Sequence, residues 1–292
     1  MNPRISTVQS REQGAVLRER RELAGLTGAQ LAERTGYSPS KICRIEKGQA
    51  GQNPITVTTH LSHCGATARE VDEVLRLGEP NDPGFLARRM QNLLRALILH
   101  ERTAQRILTC APTFVPGLLQ TYDYARAVME VSGELPPKEV EQRVTARMQR
   151  QRVLSDNRAL QVTFLIYEGV LRTPLGGAKV MQDQIFRLLF SCDRRNVKIR
   201  ILPYSAGPLV ATVGYFYLMD FEEHGPVVSI ESGLGGLMIE ERETIEGYRR
   251  FGSALEKQAL DEGESREMLA RVASEYDPPE ESDDPGPGLA EE

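Results

Sequence analysis

The residues best suited to metal chemistry in this sequence are His60, His63 and Cys64, which stand close together in one helix-like segment. Imidazole and thiolate are preferred zinc ligands, but a structural zinc site needs four ligands. This trio lacks a fourth, and no C-x-x-C pair occurs in the chain. The four cysteines are Cys43, Cys64, Cys110 and Cys192. We therefore predict no metal site and expect reduced, packed thiols.

Signatures of catalysis do not occur either. The sequence has no G-x-S-x-G, P-loop or H-E-x-x-H motif and no glycine-rich dinucleotide fingerprint. After residue 84 the only histidines are His100 and His224. The carboxylate pairs at 222–223 and 240–241 fall in predicted turns and strand ends, where solvation explains them. We expect neither an enzyme nor a cofactor.

A basic segment at the start of the chain is better suited to binding an anion. Residues 1–49 carry nine Arg or Lys and five Glu, an excess of +4, although the whole chain has a net charge of −5. One short helix in this segment is predicted to point a polar and basic face away from its core. That face consists of Pro39, Ser40, Lys41, Cys43, Arg44 and Lys47. Such a helix suits the major groove of DNA.

Two short helices joined by a tight turn must position that face. Gly36 allows the turn between them, Ser38 is a good N-cap for the second helix, and Pro39 suits its first turn. The residues predicted to face inward are Leu31, Ala32, Ile42 and Ile45. Apolar residues recur at helical spacing from Arg11 to Leu77, which predicts five short helices.

The segment LRERRELAGLTGAQLAERTGYSPSKICRIEKG resembles the Xre/Cro/cI type of helix-turn-helix regulator, and the resemblance covers about Gly14 to Leu77. It implies a double-stranded DNA operator as the partner. The DNA-binding residues expected on this basis are Ser38, Pro39, Ser40, Lys41, Arg44, Lys47 and Gln49. The resemblance also implies a structural ion pair between Arg21 and Glu46. Gly28 departs from the family, which often has Gln there, so we expect a weaker start to the second helix.

The rest of the chain is predicted to form an α+β domain, a mixed sheet with helices. Strands are predicted at Gln161–Tyr167, Val197–Pro203, Tyr215–Phe221 and Val227–Glu231, and helices within Pro112–Met129, Pro137–Leu154, Ala178–Cys192, Thr244–Leu260 and Ser265–Tyr276. The helix between the first two strands indicates a crossover that joins parallel strands.

One long helix is predicted from Phe85 to about Leu108. Its apolar stripe comprises Phe85, Leu86, Met90, Leu93, Leu94, Leu97 and Ile98. We expect this stripe to be the seam of a homodimer, because one small helix-turn-helix buries too little DNA surface for strong specificity. The alternative is that the stripe packs only within its own domain.

These patterns divide the chain into three parts. Residues 10–78 are predicted to be a mainly α, five-helix DNA-binding domain, and residues 84–276 a dimerisation and signal-receiving domain. Residues 277–292 carry seven acidic and no basic residues among Pro and Gly, which predicts a disordered tail. No stretch is apolar enough for a signal peptide or a membrane span, so we expect a cytoplasmic protein.

Several motifs of the C-terminal part, among them PTFVPGLLQTYDYA, EQRVTARMQRQRVL and NVKIRILPYSAG, resemble an actinobacterial family of WhiJ-like and Scr-type, antitoxin-like regulators. The resemblance implies a small partner protein, encoded nearby, as the signal. We expect that partner to contact Leu118, Leu119, Tyr122 and Tyr204, where turns interrupt regular elements. A small-molecule effector remains the alternative.

Overall fold

The computed structural model describes residues 6–49, 52–78, 85–131, 133, 135–156, 160–232 and 235–276. The predicted acidic tail at 277–292 lies outside these residues. Among the described helices none is long and apolar enough to cross a membrane.

The chain begins with the five short helices that the sequence predicts. They are α1 (Val8–Leu23), α2 (Gly28–Thr35), α3 (Pro39–Glu46), α4 (Pro54–His63) and α5 (Ala68–Leu77). Each begins after a residue whose side chain accepts a hydrogen bond from a first-turn amide; these residues are Thr7, Thr27, Ser38, Asn53 and Thr67. Their apolar faces close around Leu17, Ile45, Val57 and Leu61, and α2 and α3 meet through Leu31 and Ile42.

The C-terminal part is built on one seven-stranded mixed sheet, as the predicted fold class requires. Its strands are β1 (Phe85–Arg89), β2 (Arg106–Ala111), β3 (Gln161–Tyr167), β4 (Val197–Leu202), β5 (Phe216–Asp220), β6 (Val227–Ser232) and β7 (Gly235–Ile239), in the order β1-β7-β6-β5-β2-β3-β4. The pairs β2–β3 and β3–β4 are parallel and the others antiparallel. The predicted parallel pair across the helical crossover is confirmed.

Nine helices of the described chain belong to this part. They are α6 (Met90–Glu101), α7 (Tyr122–Glu130), α8 (Pro137–Arg150), α9 (Val153–Asp156), α10 (Glu168–Leu171), α11 (Ala178–Ser191), α12 (Gly207–Val213), α13 (Arg242–Gln258) and α14 (Glu262–Glu275). Apolar residues of α6, α7, α11 and α14 pack on one face of the sheet, and those of α12 and α13 on the other. The two apolar layers explain why the central strands read as nearly continuous apolar runs.

The predicted single helix from Phe85 to about Leu108 is wrong. The segment forms β1, then α6, then β2, and β1 pairs antiparallel with β7. Leu93 and Leu97 are 0 % exposed in the core of their own sheet, and Leu86 is 4 % exposed. These three leucines are therefore covered within their own domain and are not available as a dimer seam, in agreement with the alternative interpretation for this part of the stripe.

Candidate nucleic-acid interface

The outward face of α3 is a basic and polar surface. Ile42 and Ile45 anchor the helix in the core, at 1 % and 0 % exposed, so that Pro39, Ser40 and Arg44 point to solvent. Among the described residues, Arg44 has no ion pair and no side-chain hydrogen bond. Its guanidinium is therefore free to bind a ligand outside the protein.

Two further features define the start of α3. Ser38 Oγ accepts a hydrogen bond from the Lys41 amide at 3.2 Å, so its side chain is occupied in holding the helix end. Lys41 Nζ lies 3.2 Å from the centroid of the Tyr37 ring, a cation–π contact that holds the ammonium beside the first turn. Lys41 is thus placed at the N-terminal end of α3 together with Ser40.

The connection from α2 to α3 has the geometry that the sequence predicts. Gly36 ends α2 with φ 70°, a left-handed conformation that glycine adopts without the cost of a Cβ clash. The expected weakness at Gly28 is offset by a capping box, in which Thr27 accepts from the Gln30 amide and Gln30 Oε1 accepts from the Thr27 amide at 2.8 Å. The helix start is therefore secured by residues on either side of Gly28.

A buried polar centre locks α3 to α1 and α4. Arg21 Nε and Nη2 donate to the two carboxylate oxygens of Glu46 at 2.7 and 2.9 Å, and Arg21 Nη1 donates to the Leu26 carbonyl at 2.7 Å. His60 Nε2 donates to Glu46 at 3.1 Å. The structure thus brings together the predicted pair and adds His60, which the sequence had suggested only as a possible metal ligand. No group of side chains suited to a metal ion occurs among the described residues.

These hydrogen bonds determine the ionisation of Glu46. Burial acts to raise the pKa of this carboxyl, but the hydrogen bonds from His60 and Arg21 outweigh it and hold the pKa at about 2. A carboxylate whose pKa is lowered by folding stabilises the folded state above its unfolded pKa, and this contribution is lost as the pH falls through the folded pKa.

We therefore predict that acid selectively loosens the helix-turn-helix unit. Its stability should decline as the pH falls from about 4.5, the ordinary pKa of the group, towards about 2. Hydrogen exchange in peptides from α1 to α4, measured along a pH series and corrected for intrinsic rates, gives the opening free energy. In Glu46→Gln the group does not titrate, and an unchanged pH response in this variant would contradict the assignment.

Lys47 and Gln49, at the C-terminal end of α3, face a different neighbour. Lys47 Nζ lies 3.7 Å from Glu223 Oε1 in the C-terminal part, and both side chains are largely exposed. Lys47 and Gln49 line a cleft of about 930 Å³ between the helical unit and the sheet domain. A phosphate contact by Lys47 would therefore compete with Glu223.

Contacts across the cleft join the two units at a place that sequence reasoning missed. Arg11 Nη2 donates to Glu240 Oε1 at 2.5 Å, and Arg11 Nε donates to His100 Nε2 at 3.2 Å. The interpretation of Glu240 as a solvated carboxylate is thus wrong. Glu241 instead caps α13. Arg11 and Glu240 stand 229 positions apart, so no local pattern could have paired them.

Of the four residues expected to contact a protein partner, two are buried and two are exposed. Leu118 and Leu119 are 1 % and 0 % exposed in the core, so they present no surface to a partner, and the prediction is wrong for both. The apolar spacing of PGLLQT reflects packing of a 3-10 turn against the sheet domain. Tyr122 and Tyr204 are 39 % and 51 % exposed.

The five-helix unit matches a known family model. A family model described as a helix-turn-helix domain matches residues 12–74. No curated protein matches the chain. A solved structure of TrmBL2, an archaeal chromatin protein described as showing a novel mode of DNA binding, is similar at 10 % identity, covering 81 % of this chain and 88 % of that one with a TM-score of 0.34.

A second family model, described as a domain of unknown function (DUF5753), matches residues 94–271, which is more than half of the 292 residues. The matched segment runs from within α6 to within α14 and so takes in six of the seven strands. The chain therefore belongs to the DUF5753 family and carries a helix-turn-helix domain ahead of the segment that defines that family.

Proposed function

We propose that this protein is a transcription regulator that binds an operator on double-stranded DNA through α3 and receives a signal through its C-terminal domain. Residues 10–78 are the DNA-binding unit in this proposal, and residues 84–276 the receiving domain. The observation that carries it is the outward face of α3, where Arg44 stands exposed and unpaired among the described residues beside Ser40. The resemblance to Xre/Cro/cI regulators supports the same role.

The contacts expected in a complex follow from side-chain chemistry. Arg44 can make a two-point contact with a guanine edge, and Pro39 and Ser40 lie one turn before it, close enough to contact neighbouring bases. Lys41, Lys47 and Gln49 are assigned to phosphates or to the groove edge, and Ser38 chiefly to the helix cap. Lys47 would exchange the Glu223 carboxylate for a phosphate.

We predict that Arg44→Ala costs about 1–3 kcal/mol of binding free energy on the specific operator and little on unrelated DNA. Lys47→Ala should weaken all sequences alike and reduce the salt dependence by about one counterion. Footprinting on the protein's own promoter, with a salt titration on random DNA, separates the two effects. Operator protection by Arg44→Ala equal to that of the parent protein would disprove the assignment of α3 as the recognition helix.

A homodimer is part of the proposal, because two half-sites would supply the contact area that one helix-turn-helix lacks. We predict a mass of twice 32.6 kDa by light scattering at micromolar concentration. Leu93 and Leu97 of the apolar stripe are buried, so the proposed seam does not include them. A monomeric mass both alone and on a two-half-site operator would rule the dimer out.

The signal is proposed to be a small partner protein, as the resemblance to WhiJ-like and antitoxin-like regulators implies. Tyr122 and Tyr204 are the two proposed contact residues that remain exposed. An effector changes DNA binding only if it binds one arrangement of the DNA-binding units better than another.

Alanine at both tyrosines should abolish capture of the partner and leave operator binding intact. A small-molecule effector is the second candidate, and the polar cluster described next favours it.

A further inference from the structure

The C-terminal domain contains a cluster of charged and hydroxyl-bearing side chains that DNA binding does not use. We call it the internal polar cluster; it comprises Glu101, Arg147, Arg150, Tyr215, Tyr217, Ser229 and Glu231. Tyr217 on β5 stands opposite Ser229 on β6 in the antiparallel register. Because side chains alternate along a strand, Tyr215 and Glu231 follow on the same face of the sheet. The end of α6 and the last turns of α8 supply the other members.

The members of the cluster differ in their exposure to solvent. Glu101 and Tyr217 are each 1 % exposed and Ser229 is 0 % exposed, so these three form a floor. Arg147 and Glu231 are partly exposed, and they lie where the cluster opens to solvent. Arg147 and Glu231 are therefore the members that a small polar molecule would meet first.

One pair of charges in the cluster is fully matched. Arg150 Nε and Nη2 donate to the two oxygens of Glu101 at 2.7 and 2.6 Å, with side chains 8 % and 1 % exposed. This is the arrangement expected of a structural ion pair, since each charge removed from water has a partner.

The other two charges, Arg147 and Glu231, form no direct ion pair. Arg147 Nη1 donates to Gln120 Oε1 at 2.8 Å, but among the described residues no carboxylate oxygen lies within 4.0 Å of its guanidinium. Glu231 has no hydrogen bond to its side chain and no basic nitrogen within 4.0 Å in the same set. Burial lowers the pKa of Arg147 to about 10 and raises the pKa of Glu231, although the attraction between the two groups opposes both shifts.

The Ser229 hydroxyl adds an independent observation. It is completely buried and has no hydrogen-bond partner among the described residues. More than about 90 % of buried polar groups in proteins are hydrogen-bonded, so a buried hydroxyl without a partner calls for one. It stands on the same face of β6 as Glu231, two residues away, and can contact a molecule held there.

We propose that the internal polar cluster binds a small zwitterion, with its carboxylate on Arg147 and its ammonium group on Glu231; free α-amino acids are the simplest such ligands. A purely structural network would pair these two charges, as it pairs Arg150 with Glu101. A simple anion would satisfy Arg147 but would be repelled by Glu231. The proposal rests on the proposed function only in making this ligand a signal, because binding itself requires no DNA.

The test is direct binding to the full-length protein. Each of the twenty standard L-amino acids is screened by thermal unfolding, and those that raise Tm are titrated by calorimetry. Propionate and propylamine, each carrying one half of the zwitterion, are run at the same concentrations. At least one amino acid should raise Tm and bind, and neither half should. The absence of any effect, or equal stabilisation by propionate alone, overturns the proposal.

Two variants locate the site. Glu231→Gln keeps the side-chain shape and removes the charge. Arg147→Lys keeps the charge and removes the planar guanidinium group, which binds a carboxylate at two points. Each should weaken binding at least ~10-fold, the loss expected when a hydrogen bond to a charged group is removed. Arg143→Gln, on the same helix and paired with Glu139, is the matched control and should bind as the parent does. Parent-like binding by both site variants overturns the proposal.

Failure of this inference can be told apart from failure of the DNA-binding proposal. Arg44→Ala should bind the amino acid normally while losing the operator. If the amino acid binds and no operator is found, the cluster is a ligand site in a protein of another function. If the operator binds and no amino acid does, only the cluster has been misassigned.

Discussion

Replacing Glu46 by Gln is expected to lower the free energy of unfolding of the helix-turn-helix unit by about 3–5 kcal/mol, because it removes the carboxylate that binds the buried Arg21 guanidinium at two points and leaves only the more exposed Glu22, at 3.5 Å. Glu46 and Arg21 are 7 % and 11 % exposed at their side chains, so water cannot replace the lost carboxylate well. The loss is comparable to the whole stability of many small domains.

Hydrogen exchange in α1 to α4 of the full chain measures this loss, and the matched control is Arg18→Gln. Arg18 stands one turn from Glu22 on the same helix, in an ion pair whose side chains are 64 % and 53 % exposed. Solvent screening leaves such a pair little to contribute, so this variant should exchange as the parent does. Equal protection in Glu46→Gln and Arg18→Gln would show that the buried centre does not stabilise the unit.

The second large effect is expected in the C-terminal domain. Glu101→Gln should destabilise it by about 3–5 kcal/mol, because Arg150 then remains buried with no carboxylate. The pair is held at two points and both side chains are buried, so removing one member should lower the free energy of unfolding strongly. Urea unfolding of the full chain, followed by exchange in β2 and β5, gives the value.

A double replacement distinguishes charge loss from loss of shape. Glu101→Leu combined with Arg150→Met removes both charges and leaves apolar side chains of similar size, so most of the stability should return. Arg143→Gln, whose pair with Glu139 is about one-third exposed, is the control on the same helix. If the double variant is as unstable as Glu101→Gln, the pair acts through packing alone.

Local signals made much of the first unit predictable from the sequence. Ser38 caps α3 and Gly36 ends α2 because each effect depends on residues within a few positions. The predicted strand Gln161–Tyr167 coincides with β3, since a continuous β-branched and aromatic run leaves few alternatives. Features of this kind depend mainly on residues that are neighbours in the sequence.

The parts that could not be predicted depend on distant partners. Phe85–Arg89 continues the apolar spacing of the following helix, and only its pairing with β7, some 150 residues later, makes it a strand. Within β7, Gly235 and Gly236 look like a turn. A Cβ at Gly236 would lie 1.9 Å from the Ile230 carbonyl oxygen, so the strand can approach its neighbour only because that side chain is absent.

The candidate site also has a part that the sequence predicts and a part that depends on distant residues. The outward face of α3 follows from helical periodicity, so its residues could be identified from the sequence alone. The contact of Lys47 with Glu223 and the positions of Arg147 and Glu231 depend on how strands and helices far apart in the chain are brought together. Local sequence patterns carry no record of such pairs.

The short connection between the two units limits how an operator can be read. Helix α5 ends at Leu77, and β1 begins at Phe85 on the edge of the sheet. An extended chain covers at most about 3.6 Å per residue, so the residues between Gly78 and Phe85 reach no further than roughly 25 Å. In a dimer joined through its C-terminal domains, these connections and the contact of Arg11 with Glu240 would then limit the distance between the two recognition helices. Inserting half a helical turn of DNA between the half-sites would place one of them on the opposite face of the duplex, so binding would require the contact between Arg11 and Glu240 to break.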